Sequence, residues 1–327
     1  MKIVIHGAGP SGCTAARVLA ELGHTVEVYE VRDTVGGNTA EVNLHGTIVH
    51  AYGPHLFHTD DEEVQSFLSR FTEWVPYKHK VEANTRSGVI SLPIVDLNLA
   101  EPISVLEHPN SEQLYNLVYR DYSLKQWGYQ PPKEVLNRVM IMNKPQDGYF
   151  NNKYQALPKD GYIAMFNKML DHPNISVFLN ADKDSRPDCD LRVWTGAIDA
   201  YHDYVLGTLK YRSLRIENTL SIKHTGAATI NECNLNRKFT RSTDYNVLPI
   251  NNYKLAYNVI QREYPCDHKP GVNEAFYPMK DTELFEAYTN LGSNTLFIGR
   301  LAEYKYLDID KAIKNSLDMI NHYISLI

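Results

Sequence analysis

The chain has 327 residues, 43% of them hydrophobic and 22% charged, which at ~150 residues per domain suggests about two globular domains and excludes disordered, collagenous and coiled-coil classes. Its 33 basic and 39 acidic residues leave a net charge of −6, which argues against nucleic acid or an anionic membrane as the main partner. No apolar run approaches the ~18 residues of a membrane helix, the start carries no signal-peptide core, and the four cysteines form no metal-binding spacing. These features point to a cytoplasmic protein with reduced thiols and no metal. Tyrosines number 22, against 10 phenylalanines and 3 tryptophans, a bias that suits a wet, polar ligand cleft.

Lys2 to His6 reads as a strand, followed at once by Gly7-x-Gly9-Pro10-Ser11-Gly12 and a helix pattern that stops at Gly23. Thr25 to Glu30 is the second strand, and right-handed crossover makes the pair parallel. Gly7 permits the tight turn, Gly9 lets the backbone approach a pyrophosphate, and Gly12 lets helix and strand pack closely. Ser11 sits at the helix N-terminus, whose amides and dipole favour phosphate. Glu30, 18 residues beyond Gly12, can accept from ribose hydroxyls. The following Gly36-Gly37-Asn38 lets backbone lie along an extended cofactor and favours FAD over NAD.

Residues 61–72 read as an amphipathic helix opened by Thr59 or Asp60, and 84–95 as strands around Arg86-Ser87-Gly88. From about 96 to 147 the pattern is helical with proline breaks, and 207–265 alternates like an antiparallel sheet. Ile313, Leu317, Ile320 and Ile324 mark one face of a last helix, with Asp308 and Asp310 at its positive end. The expected architecture is an α/β Rossmann-like FAD-binding domain with a helical insert and an antiparallel β-sheet insert. Its segments are 1–83, 175–206 and 291–327 for the FAD-binding domain, and 96–148 for a helical substrate domain with a mobile loop. The β-sheet domain takes 84–95, 149–174 and 207–290.

Ala51-Tyr52-Gly53-Pro54-His55-Leu56-Phe57-His58-Thr59 resembles a segment of the UDP-galactopyranose mutase family. So do Lys125-Gln126-Trp127-Gly128, Tyr149-Phe150-x3-Tyr154-Gln155, Thr195-Gly196-x-Ile198-Asp199, Thr240-Arg241, Tyr277-Pro278 and Ile298-Gly299-Arg300-Leu301-Ala302. These motifs run through nearly the whole chain in family order. The resemblance implies an isomerase that interconverts pyranose and furanose forms of UDP-galactose or a close relative such as UDP-arabinopyranose. It implies reduced FAD, whose N5 attacks the anomeric carbon and expels UDP, with an external reductant such as NAD(P)H needed only for priming. A homodimer and an FAD-dependent oxidoreductase are the looser expectations.

The resemblance also assigns residues. Arg138 and Arg241 would hold the diphosphate, with Tyr149, Tyr277 and Tyr306 donating to it; always-charged guanidinium forks suit that task. Tyr122 would stack on uracil and Trp127 lie nearer the sugar, with Phe150 and Gln155 in the uridine region and Asn84 and Asn231 as further polar contacts. His55, His58, Arg300 and Asp308 would flank the flavin, joining Gly7, Gly9, Ser11, Gly12, Glu30, Gly37 and Asn38 of the fingerprint. His58 is expected closest to N5, positioning more than moving protons. Against family habit, the chain is some tens of residues shorter, Trp194 replaces a smaller aromatic, and Val118 falls where an aromatic often faces uracil.

Overall fold

A computed structural model describes residues 1–130, 136, 139–182, 185–251 and 255–326. Five parallel strands form the first sheet, in the order Ile175–Phe178, Thr25–Tyr29, Lys2–His6, Leu191–Trp194 and Thr295–Phe297. Ile3 and Ile5 point to one side of it and bury against Leu19 of the helix Pro10–Glu21. Leu317 and Ile320 of the last helix, Ile309–Ser325, complete that layer. The apolar face read from residues 313–324 is the buried one, and the helix begins one turn earlier. Gly23 stops the first helix at φ +85°, as its position requires.

The helix expected at 61–72 is shorter. Asp61, rather than Thr59 or Asp60, caps it by accepting the Val64 amide (3.1 Å), and it spans Glu62–Leu68. The helical reading of 96–147 holds for 111–127 only, among the described residues. Ser111–Leu114 leads through a π-helical turn at Tyr115–Tyr119 into Arg120–Trp127, while Ile103–Ser104 pairs with Met140–Ile141 as a short ribbon. Pro102 and Pro109, each lacking an amide hydrogen, suit these extended and turning stretches.

A seven-stranded sheet lies beside the parallel one. Its order is Tyr277–Pro278, Tyr211–Ser221, Asn258–Asp267, Arg241–Asp244, Thr229–Glu232, Val81–Thr85 and Gly88–Leu92. It is antiparallel except where Thr229–Glu232 runs alongside Val81–Thr85. Val81–Thr85 therefore belongs with this sheet and not with a nucleotide-binding segment ending at 83. The segment 149–174 is also divided. Tyr154–Pro158 joins a small sheet with Phe57–Thr59 and Trp74–Pro76, whereas the helix Gly161–Leu170 buries Tyr162, Met165, Phe166 and Met169 in the core of the parallel domain. Apolar spacing on that helix, not its place in the chain, decides where it packs.

Glu41, on the hairpin of Glu41–Leu44 and Thr47–His50, ties this helix to that hairpin. Its Oε2 accepts the Ile163 amide (3.3 Å), and Gly161, at φ +86°, leaves room for the carboxylate where a Cβ would meet Oε1 at 1.8 Å. Burial pushes the Glu41 carboxyl up from 4.5 to about 7, against the pull of the Ile163 and Tyr162 amides. Between these values the folded state holds a proton that the unfolded chain has lost, so stability contributed here declines as pH rises through that window. Glu41→Gln should gain in melting temperature over wild type as pH rises from ~5 to ~7 and level off above it. A pH-independent difference would contradict this.

Candidate active site

Strand alternation sorts the seven-stranded sheet into two faces. Asn231, Arg241 and Glu263 lie opposite one another in register and face inward, toward the helix Arg120–Trp127 and the 50–58 loop. Asn84 pairs with Glu232 and faces the other way. Its amide donates to both Glu232 oxygens (3.0 and 3.1 Å), beside a cavity of about 640 Å³ on the outer face that Lys223, Arg237 and Arg262 also line. Asn84, expected as a polar contact to the nucleotide sugar, thus stands on the face opposite Arg241.

On the inner face Arg241 donates to the Tyr122 hydroxyl (3.3 Å), and its Nε lies 3.7 Å from Glu263 Oε1. Burial alone would depress the guanidinium, but the Glu263 carboxylate and the Tyr122 and Tyr277 oxygens more than offset it. From there an aromatic wall runs toward the parallel sheet. Trp127 meets Tyr277 edge-on (6.2 Å between rings), Tyr277 stacks on Tyr306 (5.9 Å), and the Arg300 guanidinium lies 4.9 Å from the Tyr306 ring. Arg300 is held by the carbonyls of Leu307 and Phe276. Asp308 begins the last helix through its carbonyl, and its side chain makes no cap bond.

The opposite wall is built on His58 and Phe150. Their rings stack at 3.7 Å, His79 stacks on Phe150 at 6.1 Å, and Tyr149 meets Phe150 edge-on. His58 Nδ1 pairs with Asn152 Oδ1 at 2.9 Å, which fixes the ring and turns its other nitrogen to a different side. Gln155, directly across from His58, spends its amide hydrogens on the Phe150 and Asn152 carbonyls, so it shapes this turn. His55 lies in the loop between the walls, its Nδ1 2.8 Å from the Gly53 carbonyl and its amide bonded to His50 Nδ1. Burial lowers the His55 ring to about 4, helped by Arg300, and His50 to about 3, so both are neutral at pH 7.

The glycine fingerprint adjoins the Arg300 end. A Cβ on Gly12 would lie 1.9 Å from the Gly7 carbonyl, one on Gly37 2.8 Å from Gly9 Cα, and one on Gly299 2.6 Å from Ser11 Oγ. The helix N-terminus at Gly9 and Pro10 has no side-chain cap, leaving its first amides for an anion. Glu30, buried, accepts the Ala8 and Arg32 amides (2.7 and 2.9 Å), and Asn38 accepts from Arg32. Glycine cradle, uncapped helix end and a carboxylate at the second strand's end fit the diphosphate and ribose of a dinucleotide cofactor. Arg138 falls outside the described residues. No group of His, Cys, Asp and Glu that could hold a metal occurs among the described residues, and no described helix is long and apolar enough to cross a membrane.

Sequence reasoning missed Glu263, His50, His79 and Arg212. Gln261 and Glu263 stand two apart in a strand and so share a face, but the charged Arg262 between them hides the inward polar pair, so the sequence offered little signal. Arg212 stands apart from the binding groups but holds them. Buried, it donates to the Gln126 carbonyl (2.8 Å) and the Lys125 carbonyl (3.2 Å) and pairs with Asp267, tying down the helix end that carries Trp127.

A UDP-galactopyranose mutase family model matches residues 117–306, and an NAD(P)-binding Rossmann-like domain matches 5–71. A probable UDP-galactopyranose mutase of Klebsiella pneumoniae is 33% identical, covering 99% of this chain and 95% of its own. The dTDP-fucopyranose mutase of Escherichia coli is 31% identical, covering 99% and 98%. A crystal structure of reduced UDP-galactopyranose mutase superposes with a TM-score of 0.77 at 17% identity, over 100% of this chain and 96% of the other.

Arg212→Met should lower stability by about 2–3 kcal/mol, because two helix-end carbonyls lose a charged donor in a buried place. Unchanged denaturant midpoints would contradict that anchoring.

Proposed function

The chain belongs to the UDP-galactopyranose mutase family, and from that premise we propose that it is an isomerase that interconverts the pyranose and furanose forms of a nucleotide sugar, UDP-galactose first among candidates, with reduced FAD as cofactor. The observation that carries the reading is the inward Arg241. A half-buried cation, open on one side to a ligand, faces a tyrosine-lined wall that leads to an uncapped, glycine-lined helix end. A diphosphate group and a dinucleotide cofactor are what those two ends suit.

Gly7, Gly9, Ser11, Gly12, Glu30, Gly37 and Asn38 would hold the adenosine diphosphate half of FAD, and His55, His58, Arg300 and Asp308 would flank its ring. When bound, reduced FAD supplies an electron-rich nitrogen toward the sugar's anomeric carbon. The chain's own groups do the rest. Arg241, joined by Arg138, neutralises the diphosphate as its bond to the sugar breaks, where a fixed cation gains strength from the developing charge. Tyr149, Tyr277 and Tyr306 donate hydroxyl hydrogens to the same oxygens without adding net charge. Tyr122, Trp127, Phe150 and Asn231 orient base and sugar, while Gln155 holds the turn that carries Phe150. His58, stacked and bonded to Asn152, serves as a positioning group. The Arg300 cation favours an anionic ring beside it.

The two relatives named above differ in both base and sugar, so dTDP-fucopyranose is a second candidate, and UDP-arabinopyranose a third because it lacks only an exocyclic hydroxymethyl group. A reductant such as NAD(P)H would prime the cofactor in the cytoplasm without being consumed in proportion to product. Incubating the reduced protein with the three pyranose substrates and separating the products by chromatography tests the reading. Ring interchange with at least one is expected; none with any, or one reductant consumed per product as in an oxidoreductase, would overturn it. Arg241→Ala should lower kcat/KM by about 10- to 150-fold, the equivalent of ~1.5–3 kcal/mol, with FAD content unchanged. Gly9→Val should do the reverse and abolish FAD retention, since a side chain there meets the Gly37 backbone and the diphosphate.

A further inference from the structure

Nothing in the proposed reaction uses Glu263, although its carboxylate is 2% exposed and lies on the same face as Arg241. At 3.7 Å from Arg241 Nε the contact is an ion pair but too long for a hydrogen bond, and both Glu263 Oε1 and Arg241 Nε lack a hydrogen-bond partner. Gly53 covers the carboxyl group, with room for a Cβ only 3.4 Å from its carbon. Several groups face it from the surrounding elements. Arg241 stands on the adjacent strand, Tyr277 on the edge strand, Tyr245 in the turn after Arg241–Asp244, and Tyr122 on the helix. His50, at the end of the strand Thr47–His50, and His55 flank the covering Gly53. Burial raises the Tyr245 and Tyr277 hydroxyls and lowers both histidines, so these groups are neutral near pH 7. Among the described residues Arg241 alone supplies a charge that pulls the Glu263 carboxyl down, against the larger upward push of burial.

A nucleotide sugar brings two negative charges to that same guanidinium. We propose that Glu263 is a proton-accepting counter-charge to Arg241, ionised while the diphosphate is absent and protonated from solvent when a nucleoside diphosphate sugar seats on Arg241. This rests on the reading of Arg241 as the diphosphate site. The balance is simple: carboxylate plus one solvent proton gives the carboxylic acid as the sugar nucleotide binds, and the proton returns to solvent when it leaves. Arg241 thereby passes its charge from an internal partner to the ligand without leaving an uncompensated carboxylate buried beside a dianion. The neutral acid also acquires a hydrogen that it can donate. Burial already pushes the Glu263 carboxyl above its usual range. Glu263 is a positioning residue, acting through Arg241.

Calorimetric titration of UDP-galactose into the oxidised, FAD-loaded protein tests this, because oxidised flavin blocks turnover and the sugar-linked diphosphate does not titrate near neutrality. Binding heats in buffers of different ionisation enthalpy should report uptake of ~0.5–1 proton per site, and affinity should weaken by up to ~10-fold per pH unit above neutrality. Glu263→Gln should bind with no uptake and a flat pH profile, which a merely structural role would not produce. Binding without uptake in the wild type, or uptake that persists in Glu263→Gln, overturns the proposal. If that variant does not fold, difference infrared spectra of the wild type decide. A protonated-carboxyl band appearing on binding supports the proposal, and no band overturns it. Absence of any UDP-galactose binding reads differently, since it removes the diphosphate site itself and the proposal with it.

Discussion

A half-buried guanidinium, its Nε shut away from water and about a quarter of its side chain still exposed, governs the second half of this molecule. Arg241 is carried inward on a central strand, with one carboxylate near it and phenol hydroxyls around it. A buried charge is costly unless paired, and breaking such a pair costs more than the pair contributes. The neighbouring architecture follows from this need. The strand Asn258–Asp267 must present Glu263 beside Arg241, the loop over Gly53 must close on that carboxylate, and the helix Arg120–Trp127 must bring Tyr122 within reach. A cation held in place and only partly hydrated in this manner suits an incoming anion.

Three separate pieces of chain meet at that point, and each is fixed from behind. Arg212 holds the carbonyl end of the helix, and Lys125 of the same helix donates to the carbonyls of Glu232, Asn234 and Phe239 in the sheet. Gln261 donates to the His50 carbonyl (2.8 Å) while accepting from Tyr245 (3.0 Å), binding the histidine loop to the same strand that carries Glu263. The Gly299-Arg300 turn reaches from the parallel sheet to Ser11 on one side and Tyr306 on the other. The glycine-fingerprint region and the Arg241 region are thus fixed against each other through the Gly299-Arg300 turn.

The parallel β-α-β unit was legible because its signals are local: a β-branched run, glycines at fixed spacing, and a helix stop at Gly23. The family motifs located Arg241, Tyr277 and Tyr306, and the structure sets all three on one connected wall. For Asn84 a motif gives a position but not a face, and pairing with Glu232 turns it outward. The helix Gly161–Leu170 was assigned to the wrong unit since packing partners 150 residues apart leave no local mark. Glu263 was overlooked for a related reason. A carboxylate in a strand looks like a solvent-facing residue until the neighbouring strand places Arg241 across from it.

The central claim is that Arg241 recognises the diphosphate and nothing else in the ligand. Comparing dissociation constants of UDP-galactose and uridine, for wild type and Arg241→Ala, tests it directly. The wild type should prefer UDP-galactose, and the variant should lose about 10-fold or more of that preference with uridine affinity unchanged. A preference that survives the substitution intact would contradict the account.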